Sequence, residues 1–438
     1  MQNSSPLDRL LDFLDQSPTA CHAVACLGRI LSANGFQELD ESGLPARLKP
    51  GKYFFIRRDG GLIACTLTDV PLDQTGLRMA CAHTDSPCLK VKPQPAKRKN
   101  NYLQFGVEVY GGALLNPWFD RDLSLAGRVF WSEQNGEFNK ALINFQYPLA
   151  VIPSLAIHLD REANKKKSIN KQTDLVPLLQ LTDGEETFEG LLIEQIEKEH
   201  PQARPQQILG HDLFFYDVQK PARIGLHGDF ITGARLDNLL SCFTLIHALT
   251  HVPEQQDSLV ILNDHEEVGS VSAGGAQGPF LKNMLKRLEP ESDRRQQMLR
   301  RSLLISTDNA HGVHPNFADK HDPEHLPTLN NGPVIKWNAN QRYATDAVTG
   351  GFFRALCRRA GIEAQDFVMR NDMACGSTIG PLTAAEVGVK TVDVGIPSLA
   401  MHSIRETTGS NDYKSLQKVM QLFFALAPED PLWTGQSQ

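Results

Sequence analysis

Two adjacent carboxylates, Glu266 and Glu267, follow the short apolar run of residues 259–262 and precede Gly269. An apolar run of this length, bounded by turn-forming residues, predicts a buried strand. In open α/β sheets, ligand-binding and catalytic side chains gather beyond the carboxyl ends of such strands. One carboxylate of such a pair could bind a cation while the other transfers protons. Alone, the pair is more typical of a solvated acidic loop, so the metal hypothesis needs ligand-type residues at other strand ends.

His83 is one such residue, because it directly follows the strand-like run of residues 77–82. Asp85 comes two residues later. Its carboxylate could accept a hydrogen bond from the imidazole nitrogen that faces away from a metal, which would fix the tautomer of His83. A capping Asp beside a surface His explains the same spacing equally well, so the pair does not decide between the two interpretations.

Three further ligand-type residues have a comparable position. Asp308 follows the apolar strand predicted at residues 301–307, and His402 lies in the loop after the last predicted strand, residues 390–396. Asp237 lies in the first turn of an amphipathic helix predicted within residues 231–249. The helix dipole and N-terminal capping favour an Asp there without any metal.

Loops at one edge of a doubly wound sheet converge, so we expect these side chains to meet. Their nitrogen and oxygen donors, with no Cys, suit Zn²⁺, and Mn²⁺ or Co²⁺ could substitute for it. Two ions about 3.5–4 Å apart need a bridging carboxylate. Such a centre is satisfied by Asp237 as the bridge, His83 and Asp308 on one ion, and Glu267 and His402 on the other. Glu266 then remains as a candidate general base.

The elements that must position these residues fall into two blocks. Residues 1–93 and 230–438 combine apolar runs with helical periodicity, which predicts an α/β domain with a doubly wound mixed sheet. Residues 94–229 carry alternating apolar and polar segments and one helix at 188–200, which predicts an inserted domain rich in antiparallel sheet. The basic, proline-bearing segment 92–101 is interpreted as a linker or an exposed loop.

Composition excludes several classes of protein. The 438 residues carry a mild net charge of −7, which gives no support to nucleic-acid binding. Their apolar stretches are too short for a membrane span, and the N-terminal segment lacks the basic and apolar regions of a secretory signal. The eight cysteines include no CxxC pair. They are therefore interpreted as reduced thiols of a cytoplasmic protein.

Several other features have competing interpretations. His158, inside the apolar run of residues 155–159, is typical of a hydrogen-bonded core or interface residue. A loop with several prolines carries four more histidines, His311, His314, His321 and His325. A mobile polar loop near the site is favoured there over a zinc cluster. The glycine-rich turn at residues 273–275 lacks the spacing of nucleotide-binding motifs.

Seven motifs resemble, in the same order, those of the aspartyl aminopeptidases, the M18 type of co-catalytic zinc aminopeptidase. They are HTDSPCLKVKP (83–93), GARLDN (233–238), NDHEEVGS (263–270), STDNAHGVHPN (306–316), QRYATD (341–346), RNDMACGSTIGP (370–381) and AMHSIRE (400–406). The resemblance runs over nearly the whole chain. It implies a zinc-peptidase catalytic domain with an inserted β-rich dimerisation domain, and a homododecamer built from dimers. It also implies removal of an unblocked N-terminal Asp or Glu from peptides.

The resemblance also implies roles for individual residues. The metal ligands it implies are His83, Asp237, Glu267, Asp308 and His402. Glu266 matches the general base, and Asp85 matches the residue that orients the first ligand. His158 matches a histidine that reaches the active site of the neighbouring subunit. Lys336 matches a basic residue that receives the acidic substrate side chain, which needs a cation nearby. Arg342 is the second choice for that cation.

Two other functions stay open at the level of sequence. A related di-metal hydrolase, such as a deacylase or a carboxypeptidase, could use the same metals on other substrates. A scaffold or cargo protein could keep the fold without catalysis, although such a protein has no need of Glu266.

Overall fold

The computed structural model describes residues 5–43, 48–181, 186–252 and 256–435. The helices are α1 (Pro6–Asp15), α2 (Ala20–Ala33), α3 (Leu72–Thr75), α4 (Phe188–Glu199), α5 (Leu236–Thr250), α6 (Phe280–Leu288), α7 (Ser292–Arg301), α8 (Ala347–Arg359), α9 (Ile379–Val387), α10 (Asp412–Ala425) and α11 (Pro431–Gly435). The strands are β1 (Gln37–Glu38), β2 (Gly51–Arg57), β3 (Gly61–Leu67), β4 (Arg78–His83), β5 (Cys88–Lys99), β6 (Tyr102–Tyr110), β7 (Leu123–Glu133), β8 (Phe138–Asn144), β9 (Leu178–Leu181), β10 (Pro205–Asp217), β11 (Ala222–Ile224), β12 (Phe230–Gly233), β13 (Ser258–Asn263), β14 (Leu303–Thr307), β15 (Ala310–His311), β16 (Val334–Trp337), β17 (Gln365–Val368), β18 (Lys390–Gly395), β19 (Pro397–Leu399) and β20 (Glu406–Gly409).

The described strands form three sheets, and the largest is mixed, with the order β1-β2-β3-β13-β4-β14-β18-β16-β17. Its middle strands β13, β4, β14 and β18 run parallel, while β3 and β16 join them antiparallel. Along β4, Ala80 and Ala82 pack into one hydrophobic core, and Met79 and Cys81 pack into another. Burial on both faces is typical of parallel strands covered by helices. The predicted mixed α/β class is confirmed.

Helices cover both faces of this central sheet. The first core contains side chains of α1, α2, α5, α8 and α10, and the second contains those of α6, α7 and α9. The structure has the helix predicted within residues 231–249, but its start and its amphipathic character differ from the prediction. Residues 230–233 form β12, and α5 begins at Leu236. The helix is also buried on nearly every side, because α1, α2 and α10 cover the face that turns away from the sheet.

The second sheet is antiparallel throughout, with the order β8-β7-β10-β5-β6-β9, and it has its own hydrophobic core with α4. The interpretation of residues 92–101 as a linker or loop was wrong, because most of them belong to β5. That strand pairs with β6 through a register shift between Val91 and Ala96. The shift accommodates Pro93 and Pro95, since proline cannot donate to a strand ladder and is tolerated at bulges.

The third sheet, β11-β12-β20-β19-β15, lies beside the carboxyl edge of the central sheet. Its strands β19 and β20 pair antiparallel, and the loop between them carries His402. Among the described residues, none of the helices has the length and apolar character required to cross a membrane.

Candidate metal centre

The candidate ligands approach one another at the carboxyl edge of the central sheet. His83 is the last residue of β4, and it lies opposite Asn263, the last residue of the parallel strand β13. The loop after β13 carries Glu266 and Glu267, and Asp308 directly follows β14. Because these strands are parallel neighbours, their ends present these side chains to the same space.

Asp237 lies between two histidines. Its Oδ1 is 3.4 Å from His83 Nε2, and its Oδ2 is 3.6 Å from His402 Nε2. His83 Nε2 is also 3.5 Å from Asp308 Oδ1, and His402 Nε2 is 3.3 Å from Glu267 Oε2. The five side chains therefore form two three-ligand groups that share Asp237. Each of its carboxylate oxygens faces a different group, as a bridging carboxylate requires.

The donor set fits divalent cations. Asp237 Oδ1 and Glu267 Oε1 are buried, and no hydrogen-bond partner reaches either atom among the described residues. Burial raises the pKa of Asp237, and nearby Asp308 raises it further. Burial and the neighbouring Asp237 likewise raise the pKa of Glu267 well above its usual value. Buried, crowded carboxylates of this kind are stabilised in the ionised form by a cation. The mixture of imidazole and carboxylate donors suits zinc.

Glu266 lies beside this set, and it groups with His83 and Glu267. Burial raises the pKa of Glu266 to about 7, an effect that His83 partly offsets. No hydrogen bond from a described residue reaches its carboxylate. A carboxylate that titrates near neutrality beside a metal site is suited to accept and return a proton.

Asp85 lies next to His83, and it makes contacts that the sequence did not predict. The nearest acceptor to His83 Nδ1 is the Asp85 main-chain oxygen, at 3.0 Å, whereas its Oδ1 is 3.5 Å away. The carboxylate instead accepts hydrogen bonds from the main-chain N–H groups of Glu266 and Glu267, both at 3.0 Å. Asp85 thus holds the turn that carries both carboxylates and also contacts the first histidine.

Glu406 is a residue that sequence reasoning missed. Its carboxylate is buried and accepts the main-chain N–H groups of Asp237 and His402, both at 2.8 Å. Burial, with the charge of Asp237, raises the pKa of Glu406 well above its usual value. The only signal in the sequence was its place in the AMHSIRE motif, because its partner Asp237 is distant along the chain.

The orientation of His402 depends on another segment that the sequence did not single out. Its Nδ1 lies 3.2 Å from the main-chain oxygen of Gly112, at the end of the antiparallel sheet. A carbonyl oxygen can only accept a hydrogen bond, so Nδ1 carries the proton. In the neutral imidazole Nε2 is then the nitrogen without a proton, and it faces Glu267 and Asp237, as metal binding requires.

Lys336 is a buried residue, with 2% of its surface exposed, and it lies next to Asp308. Its Nζ donates to the main-chain oxygen of Asn309 at 3.0 Å and is 3.4 Å from Asp308 Oδ2. Burial alone would raise the pKa of Asp308, but Lys336 and His83 outweigh it and hold that pKa below its usual range. Asp308 is therefore an ionised candidate ligand, with Lys336 as its counter-ion.

The remaining predicted site residues lie apart from this cluster. His158 is exposed in a turn between β8 and β9, between the exposed side chains of Leu155 and Leu159. Arg342 is exposed and lines a groove with Arg370. Among the described residues, none of the four histidines in the proline-bearing loop, His311, His314, His321 and His325, belongs to a candidate metal group.

Comparisons with known proteins show that this chain resembles zinc peptidases over most of its length. The sequence model of the family "Aminopeptidase I zinc metalloprotease (M18)" matches residues 13–424. A probable M18 family aminopeptidase 2 of Pseudomonas putida (strain GB-1) is 53% identical over 417 residues, covering 95% of this chain and 97% of that protein. The cryo-EM structure of the Ape4 and Nbr1 complex matches with a TM-score of 0.91 and 39% identity, over 96% of this chain and 85% of that chain. The structure of the S. cerevisiae mApe1 dodecamer matches with a TM-score of 0.83 and 28% identity, over 98% of this chain and 97% of that chain.

Proposed function

The chain belongs to the M18 family of zinc metallo-aminopeptidases, and from this we propose that it removes an unblocked N-terminal Asp or Glu from peptides at a two-zinc centre. The observation that carries the two-metal proposal is the position of Asp237. Each of its carboxylate oxygens faces a different histidine, at 3.4 and 3.6 Å. A site for one ion has no need of that arrangement.

In this proposal Asp237 would serve both metal sites, His83 and Asp308 would complete one site, and Glu267 and His402 would complete the other. Mn²⁺ or Co²⁺ could substitute for zinc because the donors are nitrogen and oxygen. Bound zinc would act as a Lewis acid that polarises the scissile carbonyl and makes water acidic near neutral pH. Asp85 would fix the turn of Glu266 and Glu267, so that these two carboxylates keep separate roles.

Glu266 is the proposed general base. Its carboxylate takes a proton from the attacking water, and it returns that proton to the leaving amine as the peptide bond breaks. A pKa raised to about 7 by burial supports both steps, because the group can then accept and release a proton near neutral pH. Its carboxylate is also free of competing hydrogen bonds from the described residues.

The preference for an acidic residue rests on a cation near the site. Lys336 is the first choice, because its ammonium group lies 3.4 Å from Asp308 Oδ2 and so places a positive charge next to the proposed centre. Arg342 is the second choice, and its exposure leaves it free to reach a substrate. His158 would complete the site of a neighbouring subunit, which agrees with its exposure on its own chain.

The assembly is also a proposal. Residues 94–229, inserted between residues 1–93 and 230–438, would form the dimerisation domain, and dimers would build a homododecamer. Exposed apolar side chains support an interface there: Phe138 lies on β8, and Leu155 and Leu159 lie on the connection between β8 and β9. The related mApe1 structure is a dodecamer. Dissociated subunits should keep zinc and lose activity if His158 acts across the interface.

The test compares Glu266→Gln with the wild type and with the matched surface variant Glu137→Gln. We expect Glu266→Gln to keep two zinc ions per chain and to lose turnover about 100- to 10,000-fold, while Glu137→Gln behaves as the wild type. Near wild-type turnover in Glu266→Gln would refute the assignment of the base.

The same preparation should be assayed on Asp-, Glu-, Leu- and Lys-linked arylamides and on an N-acetylated Asp substrate. An aminopeptidase with acidic preference cleaves the first two fastest and leaves the blocked substrate intact. Faster cleavage of the Leu or Lys substrate would refute the acidic preference. Release of acetate from the blocked substrate would instead indicate a deacylase.

A further inference from the structure

The antiparallel second sheet, β8-β7-β10-β5-β6-β9, is hereafter called the inserted sheet. The short segment that follows its strand β6 contacts both loops of the proposed metal centre. Tyr110 Oη donates to Asp85 Oδ2 at 2.7 Å. Two residues later, the Gly112 carbonyl accepts the His402 Nδ1–H, and Leu114 N–H donates to the His402 main-chain oxygen at 3.0 Å. These contacts are within one chain, so they do not depend on a neighbouring subunit.

We propose that residues 110–114, hereafter the β6 exit segment, form a positioning element that couples the inserted sheet to the zinc centre of the same chain. The proposal rests on the function proposed above. Within the segment, Tyr110 positions the turn of Glu266 and Glu267 through Asp85, and Gly112 positions His402. The inserted sheet would then have a role in each chain's own active site besides any role in assembly.

Asp85 connects Tyr110 by hydrogen bonds to the turn that carries Glu266 and Glu267. Its two carboxylate oxygens accept from Glu266 N and Glu267 N, and its Oδ2 also accepts from the Tyr110 hydroxyl. Without the hydroxyl, the buried Asp85 carboxylate loses one of its donors, and its orientation is less fixed. The Tyr110 ring is held independently, edge-on to Phe214 with 6.1 Å between centroids. Removing only the hydroxyl should therefore leave the sheet intact.

Gly111 brings the segment into close contact with a proposed ligand. Its φ is +71°, and an added Cβ would be 3.1 Å from Glu267 Cβ and 3.2 Å from the Glu267 main-chain oxygen. A side chain at this position would therefore press on Glu267. The left-handed backbone angle adds a separate cost for any L residue.

The loop of His402 is attached to the inserted sheet on its other side as well. Ile404, two residues after His402, is buried in the hydrophobic core of the inserted sheet. His402 thus lies between a hydrogen bond from the β6 exit segment and a side chain anchored in the same sheet. Any shift of that sheet relative to the central sheet would move His402.

The first test is Tyr110→Phe, with Tyr216→Phe as the matched control. Tyr216 also belongs to the inserted sheet, but its hydroxyl donates to Asn144 Oδ1 at 2.6 Å, and Asn144 contacts none of the proposed ligands. We expect Tyr110→Phe to lower kcat or zinc affinity about 10- to 100-fold, as loss of groups that orient metal ligands does. KM should stay near the wild-type value, and Tyr216→Phe should match the wild type in both readouts. Zinc affinity is measured by chelator competition, which needs no turnover.

The second test separates contact with Glu267 from backbone strain. Gly111→Ala introduces both, whereas Gly136→Ala, at φ +85° in the turn after β7, introduces only the strain, since nothing lies within 4 Å of its Cβ. We expect Gly111→Ala to weaken zinc binding at least about 10-fold and Gly136→Ala to leave it unchanged. This pair keeps the proposal testable if Tyr110→Phe does not fold.

Three outcomes bear on the proposal. Wild-type kcat and zinc affinity in both Tyr110→Phe and Gly111→Ala would overturn it. Equal losses in each variant and its control would also overturn it, because the effect would then be a general loss of sheet stability. A wild-type protein that binds no zinc and cleaves no peptide would instead overturn the proposed function.

Discussion

The two halves of the proposed zinc centre differ in what holds them. His83 and Asp308 stand at the ends of the adjacent central strands β4 and β14, and both are buried. His402 and Glu267 lie on loops, and the side chain of His402 is 32% exposed. The first half therefore takes its rigidity from the core of the central sheet.

The second half depends on side chains and main-chain groups from elsewhere. Glu406 holds the main chain of His402, the Gly112 carbonyl fixes its ring, and Asp85 fixes the turn of Glu267. Ligands at strand ends need few additional supports, whereas ligands on loops need a shell of hydrogen bonds. Asp237 belongs to both halves, whereas each of the other four proposed ligands belongs to only one. Mutations at those four residues can therefore test the halves separately.

The largest expected effect is that of Asp237→Asn, because it removes the shared ligand. One amide oxygen can serve only one ion, so zinc content should fall below two per chain. Turnover should fall on the order of 1,000-fold, which corresponds to several kcal/mol of lost transition-state stabilisation. Metal analysis alongside kinetics checks this. Two zinc ions retained with full turnover would exclude Asp237 as the bridge.

His83→Ala and His402→Ala compare the two halves directly. Each should lose one zinc ion and lower turnover about 100-fold or more. The buried His83→Ala should also lower the melting temperature of the metal-free protein, because it leaves a cavity beside Asp308. His402→Ala should leave that temperature nearly unchanged. Equal melting temperatures in the metal-free variants would contradict the difference drawn between the halves.

Glu406→Gln tests the hydrogen bonds that support the second half, formed by Glu267 and His402. The amide keeps the size of the side chain but offers one acceptor oxygen in place of two, so either Asp237 N–H or His402 N–H loses its partner. Zinc affinity at one of the two sites should fall about 10- to 100-fold, as measured by chelator competition. Asp412→Asn is a suitable control, since Asp412 is likewise buried and accepts the main-chain N–H of Asn330, which contacts none of the proposed ligands.

Lys336→Met should have the smallest effect on turnover of a neutral substrate, but it should change the pH dependence of zinc binding. Lys336 helps to hold the pKa of Asp308 below its usual range, so its removal raises that pKa. Because a ligand must be deprotonated, the midpoint of zinc uptake should move to higher pH. Zinc uptake titrated against pH in the wild type and the variant checks this, and an unchanged midpoint would contradict the pairing.

Asp- and Leu-linked substrates should be compared in the same Lys336→Met preparation. A selective loss on the Asp substrate supports Lys336 as the cation that receives the acidic side chain. The same selective loss in Arg342→Met, with Lys336→Met unaffected, would transfer that role to Arg342.

Sequence predicted the parts of the site that depend on local pattern. His83 and Asp308 follow short apolar runs, and such runs reliably mark where a buried strand ends. Glu406 and Tyr110 were missed because each has a partner that is distant along the chain, Asp237 for Glu406 and Asp85 for Tyr110. Nothing in the neighbouring residues indicates these contacts. Segment 92–101 was misinterpreted as a loop because its charged residues and prolines are typical of loops. The alternation of buried and exposed side chains in β5 becomes clear only from its pairing with β6.

The position of β4 in the chain affects how the protein behaves while it is being synthesised. Its two neighbours in the central sheet, β13 and β14, both come after the whole inserted sheet in the sequence. While the chain is being synthesised, this apolar strand therefore has both edges unpaired until much of the protein has been made. Exposed apolar strand edges aggregate, and pairing between distant segments is slow. Newly made chains should therefore be most prone to aggregation after β4 has emerged and before β14 has been added.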